Sequence, residues 1–411
     1  MTPLPNCAIL ISEPLAGQNE LYGECDMGKE KQQSYQLTSL NSGIEYFSRN
    51  GISNISYTGL KTGFPGLDAA LGGGLGPGLN VLGAAPGTGK STLAFQIARN
   101  VSKQGIPVII FSLEMPRVRI QAKYISQQTF VNDPQTASSA TEMLNAGMRE
   151  ELDRSDKRWE NIEAARRQVQ QETENIWLVE NTADIQGISA EYISGYVSSF
   201  LKLKRPESLL IIVDYLQIIA APDDQRGLTD KQIVDYNLFE LRRLTEYQDG
   251  DYKPNIPMLL ISSFNREAYN KRKKSASMAD FKDSGNIEYT AVTLMQIEDN
   301  SSGDQPNESG LCLKFQKHRY GNKNATVNFK YIKKYDYIYE ENQQPPEAQN
   351  TPPKSEELQK PAPKRKPAKA KSGKAKASAA KNSSPKPSDQ STEEFADKIR
   401  RLFDDLKKEE P

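Results

Sequence analysis

Gly83-Ala84-Ala85-Pro86-Gly87-Thr88-Gly89-Lys90-Ser91-Thr92 is the stretch that decides how this chain reads. An apolar run, 79–83, leads into it. A helical pattern carried by Leu93, Ile97 and Val101 leads out. Strand, glycine-rich turn and helix, in that order, are the setting in which Gly-Lys-Ser binds phosphate. The glycines let backbone N–H groups curl round phosphate oxygens, and the start of the helix adds positive potential. Lys90 is placed for the β- and γ-phosphates of ATP, and the Ser91 hydroxyl for Mg2+. Residues 84–92 are therefore the candidate nucleotide cradle.

Two carboxylates extend that reading. Leu209-Leu-Ile-Ile-Val-Asp214 is a strand with apolar residues on both faces, which suits a central parallel strand. An acid at its carboxyl end faces the ligand crevice, so Asp214 is expected to serve Mg2+ directly or at one remove. Val108-Ile-Ile-Phe-Ser-Leu-Glu114-Met115 ends a second such strand. Glu114 is placed to polarise the attacking water as general base.

Further apolar runs at 107–113, 176–179, 209–215, 257–263, 292–297, 312–317 and 327–332 alternate with helical patterns. That alternation predicts an α/β domain over 56–342 with a mainly parallel central sheet. Residues 1–37 are polar and weakly patterned. A short amphipathic stretch follows, with Leu40, Ile44 and Phe47 at helical spacing, and predicts a helix within 38–55. Formal net charge is zero, yet ten Lys/Arg and no acid lie between Lys360 and Ser388, so the rest carries about −10. Residues 343–390 are rich in Pro, Lys, Ala and Ser without an aromatic, and are expected to be disordered. From 391 to 411 a pattern returns. Ser391 and Glu394 have capping-box spacing, and Phe395, Ile399, Leu402, Phe403 and Leu406 share a helical face. That terminal helix could engage a replication partner.

Composition excludes several chemistries. The single histidine, His318, rules out Ser-His-Asp triads and His-based metal sites. Cys7, Cys25 and Cys312 have no CxxC spacing, which fits a reducing compartment such as the bacterial cytoplasm or nucleoid. No apolar run reaches the ~18–20 residues that span a bilayer.

The words around the two acids make the reading specific. Phe111-Ser-Leu-Glu-Met115, Asp214-Tyr-Leu-Gln217, Ser262-Ser-Phe-Asn-Arg-Glu267, Phe281-Lys-Asp-Ser-Gly-Asn-Ile-Glu288 and Lys317-His-Arg319-Tyr-Gly321 occur in that order. Together they resemble the motor domain of DnaB-type replicative helicases, a RecA-like P-loop NTPase. Ala84, where the phosphate-loop pattern has Gly, is a departure that this family shares.

The resemblance implies roles. Gln217 would sense the γ-phosphate or couple its state to DNA loops. Arg319 would be an arginine finger given in trans to a neighbour's nucleotide, with Lys317 beside it. Lys282, Asp283 and Gly285 would face single-stranded DNA in the channel of a homo-oligomeric ring, a hexamer in this family. ATP and Mg2+ are the implied cofactors. The stretch 38–55 would be the family's linker helix, preceded here by 37 weakly patterned residues in place of the family's amino-terminal domain. Lys282-Asp283 stands where many members have Arg-Glu, and Thr290-Ala-Val292 replaces an acidic pair. These departures bear on primase binding and loader dependence, and leave the ATP site untouched.

Thr62-Gly-Phe-Pro-Gly-Leu-Asp68 with Leu71-Gly-Gly-Gly-Leu75 also resembles RadA and KaiC proteins, and is expected to help frame the base and phosphate loop. Two functions therefore stand side by side. One is a DNA helicase or translocase. The other is a RadA- or KaiC-like DNA-stimulated ATPase that remodels complexes without processive unwinding. A small-molecule kinase is a third, disfavoured by the DNA-loop and Lys-His-Arg segments.

Overall fold

Near-continuous runs of Val, Ile and Leu, whose side chains point to alternate faces, become strands buried on both faces. The computed structural model describes residues 7–10, 20–25, 34–38, 59–145, 156–181, 187–221, 227–263, 284–300 and 308–343. They fall in two units, Met1–Tyr57 and Thr58–Pro411.

In the first unit, β1 (Cys7–Leu10), β2 (Glu20–Cys25) and β3 (Ser34–Thr38) form an antiparallel sheet in the order β1-β2-β3. The sequence reading gave this segment no element, because its runs are short and mix Gly, Glu and Gln with the apolar residues. Thr38, expected to open a helix, ends β3 instead. The remainder of the expected helix lies outside the described residues.

Among its described residues the second unit holds nine strands. They are β4 (Gly78–Ala84), β5 (Val108–Ser112), β6 (Ile176–Glu180), β7 (Leu210–Asp214), β8 (Pro257–Ser263), β9 (Thr293–Asp299), β10 (Glu308–His318), β11 (Thr326–Ile332) and β12 (Tyr337–Glu340). Their order is β12-β11-β10-β9-β4-β8-β7-β5-β6. From β9 to β6 every pairing is parallel, while β9 to β12 pair antiparallel. The sheet is thus mixed and mostly parallel, as expected. Only β12 among its strands was missed, a four-residue strand behind a tight turn.

Helices cover both faces. They are α1 (Pro65–Ala70), α2 (Lys90–Ser102), α3 (Arg117–Asn132), α4 (Ala140–Leu144), α5 (Lys157–Glu172), α6 (Ala190–Lys204), α7 (Asp230–Thr245) and α8 (Ser284–Thr290). Alternation splits the strand side chains between two cores. Ile110, Ile212 and Ile261 join one with α2, and Ile109, Phe111, Ile211 and Val213 join the other with α6 and α7. Each fully buried Leu or Ile contributes roughly 1.5–3 kcal/mol.

Local chemistry starts and stops these helices. Ser139 and Thr229 cap α4 and α7 with reciprocal capping boxes, and Ser189 caps α6 through the Tyr192 N–H. Glu340 of β12 reaches back to accept from the Gly66 and Leu67 N–H groups at 2.9 and 2.8 Å. Asp68 accepts at 2.7 Å from both the N–H and the hydroxyl of Thr62. The Thr62–Asp68 words thus form a bracket that closes on itself and on β12. The tail beyond residue 343, including the expected terminal helix, lies outside the described residues, and so do Lys282 and Asp283.

Candidate nucleotide site

The strand order decides which side chains meet. β8 is inserted between β4, which carries the phosphate loop, and β7, which carries Asp214. β5 pairs with β7 so that Ser112 lies opposite Asp214, and the Leu113 N–H donates to the Asp214 carbonyl at 2.8 Å. Glu114, Asp214 and residues 84–92 therefore all stand at the carboxyl edge of the sheet, where parallel α/β sheets bind ligands.

The loop is built for anions. Gly87 and Gly89 have φ of +77° and +93°, in the left-handed region that only glycine enters freely. A Cβ on Gly89 would also lie 3.1 Å from the Tyr331 ring. Gly89 hands the chain to α2, whose first residue is Lys90. Pro86 and Gly87 are exposed, while Ala85, Thr88, Gly89 and Ser91 are half-buried. Thr88 folds its hydroxyl onto the Ala85 carbonyl at 2.7 Å.

Lys90 is half-buried, and its ammonium donates to the Ala84 and Ala85 carbonyls at 3.0 and 3.1 Å. Burial pulls its pKa below the usual lysine range, against the charges of Asp214 and Glu114, which raise it. Asp214 is 2 % exposed. Burial pushes its carboxyl up to about 6, the Ser91 hydrogen bond lowers it, Glu114 raises it, and Lys90 and Lys123 lower it. A carboxylate with a serine hydroxyl as its hydrogen-bond donor is a fit donor pair for a hard, oxygen-seeking cation such as Mg2+. Two free phosphate-loop glycines and a half-buried ammonium likewise fit a polyphosphate. Glu114 is exposed at the carboxyl edge of the sheet.

Gln217 lies in the 3-10 turn Leu216–Ile218 after β7. Its amide donates to the Ser262 hydroxyl at 2.9 Å and accepts from the Ser263 N–H at 3.3 Å, at the end of β8. It thus ties the Asp214 strand to the strand that leads into 264–283.

The structure adds two residues that the sequence did not single out, Lys123 and Asp336. Thr92 of the cradle is buried, and its hydroxyl lies 3.4 Å from the Tyr331 hydroxyl and 3.5 Å from Asp336. Asp336 pairs with Lys123 of α3 at 2.5 Å. No local signature marks this pair, since it joins a helix to a turn 213 positions away.

Lys317 and Arg319 stand elsewhere. Lys317 lies opposite Leu294 and His318 opposite Thr293, at the start of β9, while Thr293 pairs with Asn80 at the start of β4. The phosphate loop begins after Ala84, at the other end. Four strand residues separate the two levels, roughly 13 Å. Arg319 is exposed, and its guanidinium donates to the Tyr289 carbonyl of α8 at 2.7 Å. Lys317 donates to the Glu288 carbonyl and, at 3.4 Å, to that of Tyr289. Gly285 lies in the first turn of α8.

A phosphate loop on one strand, an acid two strands away and a second acid beyond it define a P-loop NTPase with the RecA-like arrangement. Residues 59–340 match the DnaB-like helicase C terminal domain, and the chain belongs to that family. It is 30% identical over 277 residues to the replicative DNA helicase DnaB of Leifsonia xyli, covering 65% of this chain and 52% of that protein. To the DnaB of Geobacillus stearothermophilus it is 25% identical over 285 residues, covering 68% and 56%. The chain thus spans about half the length of these curated relatives. Its fold is similar to that of an ATPase domain solved on its own, with a TM-score of 0.60 at 18% identity, covering 74% of this chain and 98% of that one. It is also similar to a DnaB-like replicative helicase solved for its interactions with primase, with a TM-score of 0.58 at 19% identity, covering 75% and 68%. Among the described residues no helix is long and apolar enough to cross a membrane.

Proposed function

We propose that this chain is an ATP-driven motor on single-stranded DNA, a helicase or translocase of the DnaB type, which hydrolyses ATP at interfaces between copies of itself in a ring. The observation that carries this reading is the separation of Arg319 from its own phosphate loop. A guanidinium at the amino edge of β9 is roughly 13 Å along the strands from a nucleotide at the carboxyl edge of β4. A planar, permanent cation that cannot serve its own site is suited to a neighbour's.

Within one copy, Lys90 would hold β- and γ-phosphate oxygens, and Ser91 and Asp214 would hold Mg2+, which would supply positive charge against the phosphates. Glu114 takes the proton of the attacking water. Gln217, bonded to the end of β8, links the γ-phosphate to the segment leading toward Lys282, Asp283 and Gly285, which faces DNA and touches its phosphates through Lys282 and main-chain N–H groups.

Single-stranded DNA should therefore raise ATP turnover, and an unchanged rate at saturating DNA would contradict the reading. Mixing tests the shared site. Arg319→Ala and Lys90→Ala are each expected to be inactive alone. Mixed, they should regain part of the parent's turnover, because each spoils a different half of the site. No recovery at any ratio, with oligomers intact by light scattering, would place Arg319 outside a shared site.

The basic stretch between Lys360 and Lys386 is proposed to hold nucleic acid through phosphate neutralisation alone. Ending the chain at Glu341 should weaken single- and double-stranded DNA binding together and flatten the salt dependence, with basal ATP turnover kept. Equal salt slopes for the two chains would leave the stretch as a tether for residues 391–411.

A further inference from the structure

We infer that the C-terminal turn of α8 positions Lys317 and Arg319, and that single-stranded DNA acts on ATP turnover through that turn. The inference rests on the trans reading of Arg319 and names what holds that cation between encounters with a nucleotide.

The last carbonyls of an α-helix lack intrahelical donors. In α8 the Ile287 carbonyl is taken by the Ala291 N–H at 3.0 Å. The next N–H, of Val292, turns instead to the Leu79 carbonyl of β4 at 2.8 Å, and the helix stops. Glu288 and Tyr289 are thereby left to offer their carbonyls to side chains, and the two that arrive are Lys317 and Arg319. The main chain fastens the same two segments, since the Arg319 N–H donates to the Val292 carbonyl at 3.1 Å.

Two like charges at one turn repel. Burial first, and then the Arg319 charge, hold the Lys317 ammonium below the usual lysine range. Carbonyls at the negative end of a helix offset that repulsion. Phosphate oxygens would offset it more strongly, being charged. The pair thus has two competing sets of acceptors, the α8 carbonyls in its own chain and a nucleotide in the next. Whatever shifts α8 alters the balance between them.

Helix α8 is suited to carry such a shift. Gly285, a candidate DNA contact, lies in its first turn, and Tyr289 follows about 6 Å further along the axis. Between them Ile287 is 0 % exposed, and it anchors the helix in the core shared with α7. Tyr289, whose carbonyl receives both cations, and Tyr320, next to Arg319, are 75 % and 79 % exposed, so the turn stands open to a neighbouring copy.

The test uses the full chain and two variants outside the ATP machinery. Ile287→Ala loosens the anchor. Thr290→Gly loosens the last turn and removes no core side chain. Ile287→Val serves as the conservative control. ATP turnover is measured with and without a saturating oligo-dT strand, beside melting curves that confirm folding. In both loosened variants the ratio of stimulated to basal rate should fall by about fivefold or more. Ile287→Val should restore it. If α8 couples the two sites in binding as well, the gain in oligo-dT affinity that a non-hydrolysable ATP analogue gives the parent should also shrink in both loosened variants. The parent's ratio in both variants, or an equal loss of basal and stimulated rates, overturns the inference. Failure of the mixing experiment removes the trans reading itself. Recovery on mixing, together with unchanged ratios in the α8 variants, removes only the coupling through α8.

Discussion

Glu114→Gln is expected to bind ATP like the parent and to turn it over about 10²–10⁴ times more slowly. The substitution keeps the shape of the side chain and removes its basicity. Glu114 follows β5 and is exposed at the carboxyl edge of the sheet, with Asp214 one strand away on β7. A carboxylate there can take the proton of a water lined up on the γ-phosphate while Lys90 holds the other side. Lys90→Ala should behave differently. It removes the half-buried ammonium held by Ala84 and Ala85, so nucleotide affinity falls along with turnover. Single-turnover hydrolysis with pre-bound ATP distinguishes the two. A Glu114→Gln rate within a few-fold of the parent's would mean that another group takes the proton.

Asp214→Asn is expected to abolish Mg2+-dependent turnover and, in the same protein, to raise stability without nucleotide. The Asp214 carboxyl stands at about 6 in the folded chain against an ordinary 3.8, with burial the largest cause. The folded state therefore binds the proton more tightly than the unfolded one between those two values, and stability falls as pH rises through that window. Above it the full cost applies, up to about 3 kcal/mol at 1.36 kcal/mol per unit. Asparagine carries no charge and keeps an oxygen for the Ser91 hydroxyl, so the cost disappears. Urea unfolding of nucleotide-free parent and variant should show the variant ahead at pH 7, the gap closing as pH falls from about 6 toward 4. A gap of the opposite sign, or one indifferent to pH, would contradict the burial account. The site thus holds a carboxylate that its own fold disfavours, as expected where stability yields to function.

The parts legible in the sequence were those with a local signal. The strand–loop–helix around Lys90 and the apolar strands ending in Glu114 and Asp214 declare themselves through period and composition, and the structure places all three at one edge. Gln217 came only with the family words, and its bonds to Ser262 and Ser263 depend on β8 lying beside β7. The Lys123–Asp336 pair left no trace, because a contact between a helix and a distant turn has no sequence period. The strands of the first unit escaped for a related reason. Runs such as Glu20–Cys25 alternate too weakly to outweigh their polar residues. The position of Lys317 and Arg319 at the opposite edge from the phosphate loop follows only from strand order and register.

As a proposed helicase, this chain should couple ATP hydrolysis to the separation of DNA strands. Strand displacement on a forked duplex tests it most directly, with ATP turnover followed in the same reaction and Lys90→Ala as the inactive control. The account predicts release of the labelled strand that depends on ATP, stops with Lys90→Ala and is lost with Arg319→Ala. DNA-stimulated ATP turnover by the parent chain, as assembled oligomers, with no strand released from any fork would contradict it and favour the remodelling ATPase.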